Sequence, residues 1–167
     1  MKKIGIFYGS TTGSTKAVAY KLAKLLNVEE ADVHEVASVA PSVLGNYDVL
    51  IFGTSTWGSG DLQEDWYDFV DGAAALDLRG KTIALFGCGD ETMSDTFCSA
   101  VGKLYEKFKS TGAEFVGAFD VDGYSFNHSD AEVDGRYVGL LLDEVNHPEY
   151  TDLRLRKWAT EVSEAIK

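Results

Sequence analysis

Unbroken apolar runs alternate along this chain with stretches whose apolar residues recur every three or four positions. Ile4–Tyr8, Val49–Phe52 and Thr82–Phe86 are short continuous runs, typical of strands buried on both faces of a sheet. The helical repeats that separate and follow them are Val18, Leu22 and Leu25; Trp66, Phe69, Val70 and Ala73; Val101, Leu104, Tyr105 and Phe108; and Leu155, Trp158, Ala159, Val162 and Ile166. This alternation predicts an α/β fold, in which a parallel sheet carries helices on both faces because right-handed crossovers cover both sides.

Two weaker segments extend the predicted sheet. Asp32–Val36 alternates polar and apolar residues, which suits a strand exposed on one side, and Glu114–Phe119 is the fifth strand. Residues 120–150 then form a connection far longer than usual between a strand and a helix, and Tyr137–Leu142 inside it could resume strand pairing. We therefore predict one domain over residues 1–167, with a long insertion that interrupts the fifth strand.

The composition narrows the class of protein. The 167 residues suffice for one buried core, and the formal net charge of −12 disfavours binding to nucleic acid or to an anionic membrane, because either needs a basic face. A basic protein partner is the natural complement, although acidity that serves only solubility would look the same. No apolar run is long enough for a signal peptide or a membrane span, so we expect a cytoplasmic protein.

Cysteine and histidine residues are too scattered to predict a metal site. Cys88 and Cys98 match no metal-ligand spacing and are expected to be free thiols. His34, His128 and His147 form no pair at i and i+4. We therefore expect no bound metal.

A loop dense in hydroxyl groups follows the first strand. Gly9–Thr15 reads Gly-Ser-Thr-Thr-Gly-Ser-Thr and leads directly into the first helix. Free backbone N–H groups, hydroxyls and the positive end of the helix dipole can hold a phosphate there. No lysine or arginine lies among these residues, and the spacing matches neither the nucleoside-triphosphate loop nor the dinucleotide loop. A simple helix N-cap is the alternative interpretation.

The loops after the third and fourth strands should lie at the same edge, because ligands of such sheets bind at the carboxyl ends of the strands. The loop after Phe52 places Trp57 among glycines and polar residues, where its ring either packs on a helix or covers a flat ligand. The loop after Phe86 contains Asp90, whose carboxylate either accepts a ring N–H or caps the next helix. A phosphate loop beside them favours a planar ring with a phosphate tail.

These three loops, in this order, resemble those of the long-chain flavodoxins. Ser10–Thr15 is similar to the family's [Ser/Thr]-x-Thr-Gly-x-Thr phosphate loop for FMN. Thr56–Trp66 resembles the loop whose tryptophan stacks on the flavin, and Gly87–Asp90 resembles the loop that binds its pyrimidine end. The resemblance continues through the insertion to Trp158. It implies a flavodoxin-like doubly wound five-stranded parallel sheet of order 2-1-3-4-5.

Two positions depart from the family pattern. The third loop is one residue short, which leaves Met93 where the family usually has the tyrosine that covers the outer face of the flavin. Val145 lies where many long-chain members have an acidic residue near the ribityl chain. We expect Met93 to cover the flavin less fully than an aromatic ring. The alternative is a loop that folds differently, with Met93 buried against the next helix.

The resemblance implies a low-potential one-electron carrier with non-covalently bound FMN and no catalytic residues. The implied FMN contacts are Ser10, Thr11, Thr12, Gly13, Ser14, Thr15, Thr56, Trp57, Gly58, Ser59, Gly60, Cys88, Gly89, Asp90, Met93 and Cys98. Donor reductases and acceptor enzymes with basic docking surfaces would be the redox partners of a monomeric protein. The acidic residues expected to steer them are Asp61, Glu64, Asp65, Glu91 and Asp95. The alternative function is an FMN-dependent quinone or azo reductase of the same fold.

Overall fold

The three apolar runs form the centre of a parallel sheet with helices on both faces. The computed structural model describes all 167 residues. In chain order the strands and α-helices are β1 Ile4–Gly9, α1 Ser14–Leu25, β2 Val33–Glu35, β3 Val49–Trp57, β4 Asp61–Leu62, α2 Asp65–Ala74, β5 Thr82–Cys88, α3 Ser99–Phe108, β6 Glu114–Val116, β7 Glu132–Val133, β8 Arg136–Tyr137, β9 Leu140–Leu142 and α4 Pro148–Ala165. None of these helices is both long enough and apolar enough to cross a membrane.

Two separate segments fill the last position of the sheet. The parallel strands lie in the order β2-β1-β3-β5, and both β6 and β9 pair with β5. β6 lies beside Thr82–Ala84 at the start of β5, and β9 lies beside Phe86–Cys88 at its end. The predicted strand order and the predicted interruption of the fifth strand are both confirmed.

The interruption has a visible cause in side-chain packing. The strand ends at Val116 because Gly117 follows with a φ of +88° and packs against Trp158 of α4, whose indole N–H donates to the Gly117 carbonyl at 2.7 Å. Pairing resumes at Leu140, later than the predicted start at Tyr137. Tyr137 belongs instead to the antiparallel hairpin of β7 and β8, inside the insertion.

No α-helix connects β2 to β3. Short 3₁₀ helices at Val36–Ser38 and Pro41–Asn46 make the crossover, in agreement with the lack of a helical repeat in that stretch. Pro41 packs closely on Gly72 of α2, and Leu44 is fully buried. The short crossover therefore closes the same side of the sheet as α2.

Two apolar cores hold the sheet from its two faces. On the side of α2 and α3, Phe7, Phe52 and Trp66 are fully buried, and on the side of α1 and α4, Ile51 and Trp158 are fully buried. Burial of each such side chain stabilises the fold by about 1.5–3 kcal/mol. The strand ends that carry the three loops are therefore fixed from both sides.

The predicted helical faces are confirmed except at their ends. Leu25, in the last turn of α1, is 41% exposed, and Leu26 packs against the core instead. Tyr105 is half-buried, and Ile166 lies just beyond the end of α4. Periodicity places residues on a helix face, but the last turn of a helix can extend past the surface it covers.

β3 continues well beyond the predicted end at Phe52. It stays paired with β1 up to Thr54 and with β5 up to Ser55, and then pairs antiparallel with β4 at Thr56 and Trp57. The second loop is therefore a tight hairpin on an extended strand. The ends of β1, β3 and β5 bring all three predicted loops to one edge.

Candidate functional site

The first loop presents backbone donors that the protein does not use. Gly13 caps α1 with a φ of +98°, and its own N–H donates to Ser10 Oγ at 3.1 Å. The next N–H groups, of Ser14, Thr15 and Lys16, have no acceptor in the protein, as expected for the first turn of a helix. With the helix dipole, these groups favour an anion. The loop therefore has the donors that an anion site needs, as any helix N-terminus does.

Thr15 supplies the strongest sign of a missing ligand. Its side chain is 1% exposed, and Thr15 Oγ1 has no nitrogen or oxygen atom as a hydrogen-bond partner; the Cys88 thiol beside it is only a weak donor and acceptor. An unpaired buried hydroxyl costs about 1–3 kcal/mol, so such atoms are rare in the absence of a function. A phosphate oxygen would satisfy it together with the free N–H groups.

Gln63 joins the first loop to the second, a role that the sequence analysis did not find. Its buried side chain donates to Thr11 Oγ1 at 3.2 Å and to Asp65 Oδ2 at 3.0 Å, while its backbone N–H donates to Thr54 Oγ1 at 3.1 Å. A Cβ at Gly9 would lie 2.1 Å from Gln63 Oε1. The glycine that ends β1 was the available signal, because it marks a close approach by another chain segment.

Trp57 is held at the mouth of the site without being buried. Its side chain is 41% exposed, and its indole N–H donates to Ser55 Oγ at 2.8 Å. Gly58 and Gly60, with φ values of +52° and +97°, make the hairpin turn that follows, and Gly60 N–H donates to the Trp57 carbonyl at 3.1 Å. Trp57 belongs to neither apolar core, so part of its ring is open to a ligand. Thr56 Oγ1 is occupied, since it accepts the N–H of Ala100 at 3.1 Å.

Asp90 closes a turn within the third loop. Its Oδ1 accepts the backbone N–H and the hydroxyl of Thr92, at 2.8 and 2.6 Å, and the side-chain amide of Asn146 at 2.7 Å. The Thr92 hydroxyl is the main reason that the pKa of Asp90 is lowered. The alternative in which Asp90 caps the next helix is wrong, because α3 begins only at Ser99. Its second oxygen makes no hydrogen bond within the protein.

Met93 is 53% exposed, at the other end of the turn that Asp90 begins. Its N–H donates to the Asp90 carbonyl at 2.9 Å. The alternative in which Met93 is buried against the next helix is therefore wrong. Its side chain is free to meet a ligand at this edge.

The two cysteines lie beneath the third loop. Cys98 is fully buried, with Sγ near the carbonyls of Gly87 and Leu142, and burial raises the pKa of its thiol well above the usual range. A Cβ at Gly89 would lie 2.8 Å from Cys98 Sγ, so this thiol supports the loop and its side chain does not face the site, contrary to the prediction. Burial also raises the pKa of Cys88 to about 12, against a smaller lowering by the Thr15 hydroxyl beside its thiol.

Asp143 anchors the segment after β9, and the sequence analysis gave it no role. It is fully buried, and its carboxylate accepts the backbone N–H groups of Glu91, Val145 and Asn146 and the side-chain amide of Asn146, at 2.8–3.0 Å. Val145 itself is 70% exposed. Several charge-assisted hydrogen bonds compensate a buried carboxylate, so this group fixes the third loop from behind.

The acidic residues expected at the site edge differ in their contacts. Glu64 is exposed and has no ion pair, whereas Asp61 pairs with Lys103 at 3.2 Å. Glu91 is wrong as a steering residue, because its side chain is only 16% exposed and binds His147 at 2.7 Å. Its carboxylate is used inside the protein and is not offered to a partner.

The predicted contacts lie at different depths in this edge of the sheet. Exposed are Thr11, Thr12, Gly13, Trp57, Gly58, Ser59 and Met93; half-buried are Ser10, Ser14, Thr56, Gly89 and Asp90; buried are Thr15, Gly60, Cys88 and Cys98.

Comparison with known proteins gives one consistent result. A family model described as Flavodoxin matches residues 6–158. Flavodoxin 1 of Azotobacter vinelandii is 46% identical over 170 residues, which cover 98% of this chain and 97% of that protein, and the flavodoxin of Synechococcus elongatus is 39% identical over 97% of this chain and 96% of its own length. The crystal structure of Fusobacterium nucleatum flavodoxin bound to flavin mononucleotide superimposes with a TM-score of 0.92 and 28% identity, covering 99% of both chains. The chain therefore belongs to the flavodoxin family.

Proposed function

We propose that the three loops hold FMN, with its phosphate in the first loop and its ring system between the second and third. The protein is an electron-transfer protein and not an enzyme, as its family membership implies. Contacts to the phosphate come from Ser10–Thr15. Trp57 and Met93 are the exposed apolar side chains beside the ring, and Asp90 offers its free oxygen.

The unpaired hydroxyl of Thr15 carries this proposal. It is buried beside backbone N–H groups that have no acceptor, and no other buried side-chain polar atom of the chain is unpaired. A phosphate with several acceptor oxygens fits such a set of donors. Riboflavin, which lacks the phosphate, would leave the Thr15 hydroxyl and these N–H groups without an acceptor.

These residues bind the phosphate without neutralising it. Backbone N–H groups and hydroxyls supply partial charges only, and Glu64 and Asp90 add full negative charges nearby. FMN supplies the reversible uptake of electrons when it is bound. Reduction adds negative charge beside the phosphate, Glu64 and Asp90, and the repulsion makes that addition unfavourable. The protein therefore keeps the reduction potential of the bound FMN low.

Gly58 has the freedom that a moving peptide group needs. The Gly58 carbonyl and the Ser59 N–H make no hydrogen bond within the protein. The peptide between them can rotate without losing a bond, and a φ of +52° is open to glycine at little cost. If the Gly58 carbonyl turns towards the flavin ring, it can accept a hydrogen bond from a ring N–H.

Partner proteins are the remaining part of the proposal. A carrier of this family exchanges electrons with redox partner proteins. We propose that these partners dock through basic surfaces on the edge that carries Trp57 and Glu64, that the protein acts as a monomer in the cytoplasm, and that residues 1–167 form one domain. The net charge of −12 supports the basic complement.

Stepwise anaerobic reduction of the purified protein tests the function. We expect a yellow protein that takes up two electrons at two separated potentials, and no turnover of reduced nicotinamide without a partner. Rapid oxidation of nicotinamide with a quinone or azo compound would favour the reductase instead. The family relatives do not favour that alternative, since they are named flavodoxins.

A further inference from the structure

His147 lies between two carboxylates at the start of α4. Its Nε2 is 2.7 Å from Glu91 Oε1, and its Nδ1 is 3.3 Å from Glu149 Oε2. A neutral imidazole has one N–H and can donate to only one of these carboxylates, whereas the protonated ring donates to both. The arrangement at the two ring nitrogens therefore favours a protonated histidine.

Glu91 connects this histidine to the third loop. Its second oxygen accepts the backbone N–H of Ser125 in the insertion at 2.7 Å, and its own N–H donates to buried Asp143 at 3.0 Å. One carboxylate thus joins the third loop, the insertion and α4. Asp90, the neighbouring residue, is a proposed flavin contact, so the position of this contact depends on Glu91 remaining bound.

Other ionisable groups also surround the ring. Tyr124 of the insertion and Tyr150 of α4 lie at centroid distances of 5.7 and 4.8 Å, and the Tyr150 ring is parallel to the imidazole within 3°. The guanidinium of Arg154 lies over both tyrosines, at 4.4 and 5.1 Å from their centroids. Asp143 is close as well, because its carbonyl accepts the His147 N–H at 3.1 Å. Arg154 and the positive end of the α4 dipole oppose a charge on the imidazole.

The carboxylates outweigh this opposition. The hydrogen bond to Glu91 is the main reason that the pKa of His147 is raised above its usual value, with a further contribution from Glu149. Both acidic side chains therefore favour the charged ring. Deprotonation would remove the positive charge from the pair with Glu91 and leave one N–H for the two carboxylates, which weakens the hold on Glu91.

We propose that His147 is a positioning residue that, while protonated, holds the third loop in the shape that receives FMN. The inference rests on the proposed function of that loop. A histidine with a raised pKa contributes fully below its unperturbed value of about 6.5, and its contribution is lost as the pH rises through the raised value. FMN affinity should fall over the same range. By linkage, FMN should raise the pKa of His147 further.

The experiment compares the pKa of one histidine with the affinity for one ligand. NMR titration of the His147 ring in the apoprotein and in the FMN-bound protein gives its two pKa values, and FMN fluorescence quenching gives Kd between pH 6 and 9. Wild-type Kd should weaken about tenfold for each pKa unit that FMN adds to His147. His147→Gln keeps a donor towards Glu91 but cannot titrate. In this variant the part of the pH dependence of Kd that comes from residue 147 should disappear, and only the part due to ionisation of the FMN phosphate should remain.

His128→Gln is the matched control, because His128 is exposed and pairs only with Asp130, at 2.8 Å. It should follow the wild-type pH profile. Equal pKa values of His147 in the two forms, or an unchanged profile in His147→Gln, would overturn the inference. The titration of wild-type protein decides the matter even if the variant does not fold. Failure of wild-type protein to bind FMN at any pH would instead overturn the proposed site.

Discussion

Thr15→Val should change protein stability and cofactor affinity in opposite directions. Valine has nearly the shape of threonine, but it replaces the buried hydroxyl that has no partner. In the apoprotein the substitution removes an unsatisfied polar group from the interior. In the FMN-bound protein it removes a donor to the phosphate.

The two effects have comparable size. Leaving a buried hydroxyl unpaired costs about 1–3 kcal/mol, so the free energy of unfolding of the apoprotein should rise by about 1 kcal/mol or more. A hydrogen bond to a charged group stabilises by about 1.5–3 kcal/mol, so FMN should bind about 10 to 150 times more weakly. Riboflavin affinity should stay the same.

Thr111→Val is the matched control. Thr111 is also buried, with 6% exposure, but its hydroxyl donates to the Phe108 carbonyl at 2.7 Å. The same substitution should lower the free energy of unfolding there by about 1 kcal/mol and leave FMN affinity unchanged. Urea unfolding of the apoproteins gives the stability of each variant, and fluorescence titration gives its affinities for FMN and riboflavin.

Two results would refute the reasoning. If Thr15→Val destabilises the apoprotein as Thr111→Val does, the Thr15 hydroxyl has a partner. If FMN and riboflavin lose affinity equally, the first loop does not hold the phosphate.

Three other substitutions test the remaining parts of the site. Gly58→Pro should bring the two reduction potentials closer together, because proline cannot adopt the φ of +52°, and an unchanged separation in a potentiometric titration would exclude Gly58 from the mechanism. Met93→Tyr should strengthen the binding of oxidised FMN by about 0.5–1.5 kcal/mol, since an aromatic face adds contact area. It should also lower the second reduction potential, because that face repels a negatively charged flavin ring. Equal FMN affinities of the variant and the wild type would show that residue 93 does not contact the flavin. Glu64→Gln should slow association with a basic redox partner at low salt, whereas Glu161→Gln in the last turns of α4 should not. The stopped-flow rates should converge above about 0.1 M salt, where the Debye length is about 10 Å. Equal slowing by both variants would show that the acidic residues serve solubility and do not steer a partner to this edge.

The central fold could be predicted because its signals are local. The apolar runs from Ile4 and from Thr82 are buried strands since nothing polar interrupts them, and the length of the segment after Phe119 was enough to predict an insertion. The place where the fifth strand breaks could not be predicted, because it depends on Trp158 packing against Gly117. Those residues lie far apart in sequence, and no periodicity relates them.

In the site, too, features with local sequence signals could be predicted, and features that depend on distant residues could not. A loop rich in hydroxyls after a strand predicts an anion site from local chemistry alone, whereas the exposure of Trp57 was left open by its sequence neighbours. Gln63 and Asp143 were missed because the hydrogen bonds that join separate loops run to residues more than fifty positions away in the chain, at Thr11 and Glu91. Glu91 was assigned to the surface since a glutamate in a loop usually faces solvent.

The divided edge of the sheet sets an order for folding. β6 can pair with β5 soon after α3 forms, whereas β9 must first close residues 117–139 into a loop, at an entropic cost of about 3 kcal/mol for that length. We expect β9 to join last and to detach first, so that amide protons of Leu140–Leu142 exchange faster with solvent than those at the centre of β5. Asp143 follows directly on β9. A brief local opening there would release the third loop while the phosphate loop and the Trp57 hairpin stay folded. It gives the flavin a route in and out, and it exposes only the part of each core that β9 contributes, Leu141 on one face and Leu140 and Leu142 on the other.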